Sequence, residues 1–149
     1  MAARVGQILF AAHVMATTFM CGLIWFVQVV HYPMFLRFAK EDFNATMQMH
    51  QQRTGLVVAP VMLLELGTGI LLLWHPYFPK WVWTLNLLGI AIVWLSTGFA
   101  QVPLHRRLEA AYDLELAAAL VRSNWLRTMV WTVRSAWLGW VLTKHLCKP

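Results

Sequence analysis

Polar side chains able to hold a ligand or move a proton recur twice in this 149-residue chain, each time at the end of an apolar run. Gln28-Val-Val-His31 leads through a charged segment to His50-Gln-Gln-Arg53, and Gln101-Val-Pro-Leu-His105 leads through another to Asn124-Trp-Leu-Arg127. Gln28 and Arg53 are 25 positions apart, and Gln101 and Arg127 are 26. A two-helix unit used twice would bring both sets to one end of the molecule. His31, His50, Arg53, Asn124 and Arg127 are then the candidates for catalysis, with Gln28, Gln101, His105 and Trp131 beside a ligand. Imidazoles exchange protons near neutral pH, and fixed guanidinium groups suit an enolate, a quinone carbonyl or a lipid phosphate. The plainer alternative is that Arg53 and Arg127 only reach lipid headgroups. His31, His50 and His105 would also suit a metal through neutral imidazoles, although no HxxxH, HxxE or HExxH spacing supports one. A di-iron carboxylate centre is disfavoured, because Glu65 is the only carboxylate within an apolar run and paired ExxH motifs are absent.

The elements that position these groups follow from apolar length. Hydrophobic residues make up 60% of the chain and charged residues 12%, with mean hydropathy +0.58. A soluble domain of this size could not hide so much apolar surface. Four runs reach the roughly 20 residues that a membrane-crossing helix needs: about 8–30, 56–74, 81–102 and 125–146. The expected fold is all-α, a single-domain four-helix transmembrane bundle over residues 1–149, built from two parallel helix-pair repeats. Pro33 and Pro103 are expected to stop the first and third spans, and His75-Pro76-Tyr77-Phe78-Pro79-Lys80 to be a tight connector. Phe35–Gln52 and Leu104–Ser123 read as amphipathic helices lying at the interface.

Within the spans, His13, Thr17, Met20, Ile24, Gln28 and His31 fall on one helical face of the first. Asn86, Ile90, Val93, Thr97, Gln101 and His105 do the same on the third. Each stripe should point inward. His13 is ~27 Å along the helix from His31 and reads as a lone interior hydrogen-bonder. Glu65 and Arg134 each lie ~15 Å into their spans from the same end, so an intramembrane ion pair is their cheapest solution. The functional alternative is a carboxylate coupled to a proton path. Trp74, Trp81, Trp83 and Trp125 mark span ends as an interfacial belt. Trp94, Trp131 and Trp137 lie deeper, as helix packing or as the lining of a pocket for a flat ligand.

Charge excludes some partners and orients the chain. The formal net charge is +6, but most basic residues sit at span ends, where anionic headgroups account for them, and no nucleic-acid-binding signature is present. Arg37, Lys40, Arg53, Arg106, Arg107, Arg122 and Arg127 lie on the long-connector side, against Arg4, Lys80, Lys144 and Lys148 on the other. That imbalance places the long connectors in the cytoplasm and both termini outside. Cys21, inside an apolar run, and Cys147, near the C-terminus, do not suggest a disulfide. The run from Val5 to Val30 is too long for a signal-peptide core and reads as a retained span.

Ser123-Asn124-Trp125-Leu126-Arg127-Thr128 resembles the C-terminal signature of small four-span bacterial proteins, the DUF1772 or anthrone-oxygenase-like group. There a tryptophan-rich segment carries Asn or His three residues before Arg. Gln28-Val-Val-His31-Tyr32-Pro33 and His50-Gln-Gln-Arg53 depart from it and look like a distinct subgroup. The resemblance implies a bacterial inner-membrane protein with Asn124 and Arg127 as substrate contacts, acting as an oxygenase on planar anthrones without an established cofactor. The residues themselves leave three functions open. One is an oxidoreductase on a flat hydrophobic substrate, with His31 or His50 as base, Arg53 and Arg127 at the oxyanion and deep tryptophans stacking the ring. Another is a non-catalytic subunit of a membrane complex holding pigment, haem or quinone. The last is proton or ion transport through Glu65. A metal, haem or no cofactor is compatible with these, as are lipid, a hydrophobic small molecule, complex partners or a second copy as partners.

Overall fold

The computed structural model of the chain describes residues 2–37, 40–75 and 79–146, without the side chains of residues 2, 40–42 and 145–146. Pro76, Tyr77, Phe78, Cys147 and Lys148 lie outside the described residues, as does the side chain of Lys40. Every regular element among the described residues is helical. Four long helices carry the chain: α1 (residues 2–34), α2 (Lys40–Trp74), α3 (Lys80–Ala110) and α4 (Leu114–Leu146). Three stretches are long and apolar enough to cross a membrane: Ala3–Met34, Phe43–Trp74 and Lys80–Ala110. α4 falls outside that set, and two of its inward positions, Arg127 and Arg134, are charged.

Helix α1 packs on α2 and α4, and α3 packs on the same two, so the four form a closed ring. α1 and α3 run the same way, because His13 meets Asn86 at one end and Tyr32 meets Gln101 at the other. One apolar cluster, including Phe10, Leu72, Trp83 and Leu138, fills the first of these ends. A larger one, including Ile24, Phe35, Met47, Leu108 and Trp131, fills the second. Large apolar side chains also cover the outside, among them Met15 on α1, Leu56 on α2, Phe99 on α3 and Val133 on α4. Such an exterior suits lipid rather than water.

The two prolines do not stop their helices. α1 is α-helical over Ala2–Phe26, widens into a π-turn over Val27–His31, and closes with Tyr32–Met34. α3 repeats this with Lys80–Ser96, a π-turn over Thr97–Gln101, and Val102–Ala110. Proline lacks an N–H, and its ring collides with the carbonyl four residues back. Widening the turn by one residue relieves both problems. The residue before each proline makes the wide bond: Tyr32 N–H donates to Val27 O, and Val102 N–H to Thr97 O. The helix then runs through Pro33 and, for roughly two more turns, past Pro103.

The long connectors also differ from separate interfacial helices. Residues 40–52 are the first turns of α2, and residues 114–123 are the first turns of α4. The expected 104–123 helix is broken at Ala111, whose backbone is extended. Asp113 then caps α4, its Oδ1 accepting from the N–H groups of Glu115 and Leu116 at 2.8 and 3.0 Å. A short acceptor side chain at this position satisfies first-turn donors that would otherwise lack partners.

Midway along the ring, polar side chains bridge all four helices between the apolar clusters. Arg134 Nη1 lies 3.0 Å from Glu65 Oε1, an electrostatic contact whose angles fall short of a hydrogen bond. Arg134 Nε donates to Asn86 Oδ1, and Nη2 to Thr17 Oγ1. Thr17 and Trp131 Nε1 donate to the two oxygens of Glu65 at 2.7 and 3.0 Å. His13 joins this network rather than standing alone. Thr68 Oγ1 donates to Leu64 O, so the 2.8 Å contact with His13 Nδ1 makes that nitrogen the donor. His13 Nε2 then accepts from Asn86 Nδ2 at 2.8 Å. Replacing Glu65 or Arg134 alone with leucine should cost roughly 3–5 kcal/mol, because the partner charge stays buried. The double replacement should recover much of that loss in a detergent unfolding assay. Additive losses would show that the two charges do not interact.

Candidate functional site

The histidine-rich end of the ring is built from the π-turns outward. An uninterrupted α-helix would bring His31 inward after Ile24 and Gln28. The extra residue of the π-turn shifts the inward position by one, so Tyr32 is buried and His31 half-buried. Tyr32 Oη donates to Gln101 Oε1 at 3.2 Å and lies 3.5 Å from His105 Nε2. On α3, Gln101 sits within its own π-turn and anchors to Ser123 through Nε2 at 2.8 Å.

His105 and Arg127 define what this end can do. His105 Nδ1 is 2.7 Å from the Gln101 carbonyl. A carbonyl only accepts, so Nδ1 carries the proton and Nε2 is the basic nitrogen. Arg127 is 5% exposed and has no carboxylate within ion-pair distance among the described residues. Its Nη1 donates to Asn124 Oδ1 at 3.2 Å, its Cζ lies 5.3 Å from the centre of a Trp131 ring, and its Nε has no acceptor. Asn124 is held by Gln28, whose Oε1 accepts from Asn124 Nδ2 at 2.9 Å. Gln28 Nε2 in turn donates to Val121 O. The Gln28–Asn124–Arg127 chain sets the guanidinium in place.

Two cavities meet here. The inner one, about 170 Å³, is lined by Tyr32, His50, Thr97, Gln101, His105 and Arg127, with Thr54, Gly55, Val58 and Val102 toward its side. The outer one, about 240 Å³, is lined by His31, Met34, Met49, His50, Arg53 and Thr54. The candidate catalytic and ligand-binding residues are therefore divided. Arg127, His105 and His50 face the inner cavity, and His31 and Arg53 face the outer one. Asn124 lies behind Arg127 and lines neither. Of the expected ligand contacts, Gln101 and His105 line the inner cavity, whereas Gln28 acts through Asn124. Trp131 lines neither cavity, since its N–H serves Glu65 and its ring lies under Arg127. Trp137 lines a separate apolar groove of about 310 Å³ between α3 and α4, and Trp94 lines none of these. The aromatic walls of the inner cavity are Tyr32, His50 and His105 instead.

Tyr32 is the residue that helical spacing misses, since a 3.6-residue period selects its neighbour. Its place between Gln28-Val-Val-His31 and Pro33 was the available signal. For a metal, the donors are poorly aimed. His31 Nε2 and His50 Nδ1 point at each other across 2.8 Å, and His50 and His105 are stacked with ring centres 5.4 Å apart. Among the described residues no group of three or more histidine, cysteine or acidic side chains is arranged around a metal position. No protein-family model, curated protein or solved structure matches the chain.

Asn124→Ala should destabilise the protein by about 1–3 kcal/mol, because buried groups on Arg127 and Gln28 lose their partners. Arg53→Ala, at an exposed position, should change stability by no more than about 0.5 kcal/mol. Denaturant unfolding of the two variants in the same detergent measures both. Equal losses would contradict the division of roles between the two arginine environments.

Proposed function

We propose that this chain is an integral membrane protein, a four-helix transmembrane bundle of two parallel helix-pair repeats in the bacterial inner membrane. Its inner cavity binds a flat hydrophobic molecule through a carbonyl or anionic oxygen and exchanges a proton with it. The repeat is supported by the paired π-turns before Tyr32-Pro33 and Val102-Pro103, and by Gln28 and Gln101 anchoring at the same end of α4. α4 completes the bundle because Arg134, its most central charge, is matched by Glu65 of α2.

One observation carries the functional reading: Arg127 is a buried cation without a carboxylate partner among the described residues, lining a cavity that also holds two histidines. Among the described residues there are two buried arginines and one buried glutamate, which pairs with Arg134. An uncompensated charge in a low-dielectric interior is costly, and an oxygen that gains negative charge in the cavity is its natural counterpart. His105 Nε2 and His50 stand ready to take or return the proton. The volume selects the ligand further. A cavity of about 150 Å³ holds benzene, so about 170 Å³ accepts one ring and leaves the rest of the molecule in the bilayer. Gly55, Val58 and Val102 form an apolar side for that exit. Neither haem nor a fused three-ring anthrone fits whole within this space.

A phenol, a hydroquinone or an enolisable ketone begins its chemistry with such a proton transfer. An oxidoreductase drawing substrate from the bilayer is therefore the favoured class. Transport through Glu65 is the weaker alternative, because Arg134, Thr17 and Trp131 already engage its oxygens.

4-Nitrophenol tests the reading, since it is a single ring whose anion absorbs visibly. The detergent-solubilised protein should bind its phenolate, and Arg127→Met should abolish that binding. The same variant should lose no more than ~1 kcal/mol of unliganded stability, because removing an unpaired buried charge offsets the lost hydrogen bond. Retained binding in Arg127→Met would refute the reading. A loss of several kcal/mol in stability would make Arg127 a structural charge instead.

A further inference from the structure

His50 is the wall between the two cavities. It and Thr54 line both, while the remaining polar groups divide cleanly, Arg127, His105, Gln101 and Tyr32 inside and His31 and Arg53 outside. His31 Nε2 and His50 Nδ1 are 2.8 Å apart, so one must donate to the other. Thr54 Oγ1 lies 3.0 Å from the same His50 nitrogen. With Nδ1 engaged by these two partners, Nε2 is the nitrogen left to serve the inner cavity. His31 is half-buried and borders the outer cavity beside exposed Arg53. It packs against Phe26, Tyr32 and Phe35 of its own helical segment, which hold the ring in place.

We propose that His31 and His50 form a proton relay joining the inner ligand cavity to the outer cavity. The proposal rests on reading the inner cavity as a ligand site. In the forward step the ligand hydroxyl gives its proton to His50 Nε2, and His50 Nδ1 passes its own proton to His31 Nε2. His31 then releases a proton from Nδ1 to water in the outer cavity. One O–H bond is broken on the ligand and one N–H or O–H bond is made at each later stage. No electron changes hands, and the ligand stays behind as an oxyanion beside Arg127. The reverse sequence returns the proton and resets both rings. An imidazole suits each station because its two nitrogens allow a proton to enter on one side and leave on the other.

The relay solves a problem that the pocket itself creates. The inner cavity opens past apolar residues toward lipid, which takes no proton, and its second base, His105, has Nδ1 committed to the Gln101 carbonyl. His105 can therefore accept a proton but has no onward partner at its other nitrogen. His50 connects instead to His31, which borders the outer cavity beside exposed Arg53. The groups facing His50 are His31 and Tyr32 from α1, Thr54 from α2 and His105 from α3, with Arg127 of α4 across the cavity.

The test follows 4-nitrophenol bound to the detergent-solubilised protein through a rapid pH jump, reading how fast its absorbance relaxes. His31→Gln can still hydrogen-bond His50 but cannot pass a proton. It should bind the probe as wild type does and slow relaxation on the order of 10²-fold, a general acid–base contribution. His31→Ala should be slowed likewise and be restored by added imidazole. Wild-type relaxation in His31→Gln, or slow relaxation in His31→Ala that imidazole leaves unchanged, would overturn the relay and leave the ligand site standing. Loss of probe binding in both variants would make His31 a support for the cavity's shape and would also overturn it. Failure of wild type to bind the probe would remove the ligand reading and the relay together.

Discussion

Among the described residues two arginines enter the interior of this protein, and only one of them meets a carboxylate. The low-dielectric interior forces the rest of the arrangement around that imbalance. Arg134 gathers Glu65, Thr17 and Asn86, and through them His13, Thr68 and Trp131, so one charge draws polar side chains from all four helices to a common level. Those bridges fix how the helices face one another, because apolar contacts along the ring tolerate rotation better than directional bonds do. Arg127 has no such match. It is held by Asn124 and Gln28 and set over Trp131, whose N–H reaches back to Glu65. The ion-paired arginine thus supports the one without a carboxylate, and the latter faces a cavity.

The π-turns are the second constraint. Each is imposed by a proline one residue after the turn closes, and each sits where a glutamine must reach α4. Had α1 stayed α-helical, His31 rather than Tyr32 would point inward, and Gln101 would lose the hydroxyl that now donates to it. The half-buried His31 is instead left between the interior and the outer cavity, within reach of His50. Local backbone geometry therefore decides which aromatic ring lines the inner cavity and which borders the outer one.

Much of this was legible in residue types and spacing. The apolar runs announced the helices, and equal depth paired Glu65 with Arg134. The repeated Gln–His–Arg pattern located the polar end. Other features need information that periodicity lacks. A 3.6-residue count cannot register a π-turn, so Tyr32 escaped it. Asp113 caps a helix only once the chain breaks at Ala111, and a run of helix-forming residues from 104 to 123 hides that break. Arg53 and Arg127 occupy matching places in the repeat, yet one is exposed and the other buried, because the second half of the repeat packs Asn124 against Gln28. Trp131 reads either as helix packing or as the lining of a pocket for a flat ligand, and it packs inside the ring, where its indole N–H needs an acceptor and Glu65 supplies it.

On the proposed reading Arg127 awaits an anionic oxygen, while Arg134 already has the carboxylate of Glu65. ¹⁵N–¹H spectra of the arginine Nε–H groups distinguish the two directly as a hydrophobic phenolate is added to the detergent-solubilised protein. The Arg127 signal should shift and become more protected from exchange as its Nε–H and neighbouring donors gain an acceptor, while the Arg134 signal, already bonded to Asn86, stays in place. A shift at Arg134 with Arg127 unmoved, or no response from either, would contradict the account.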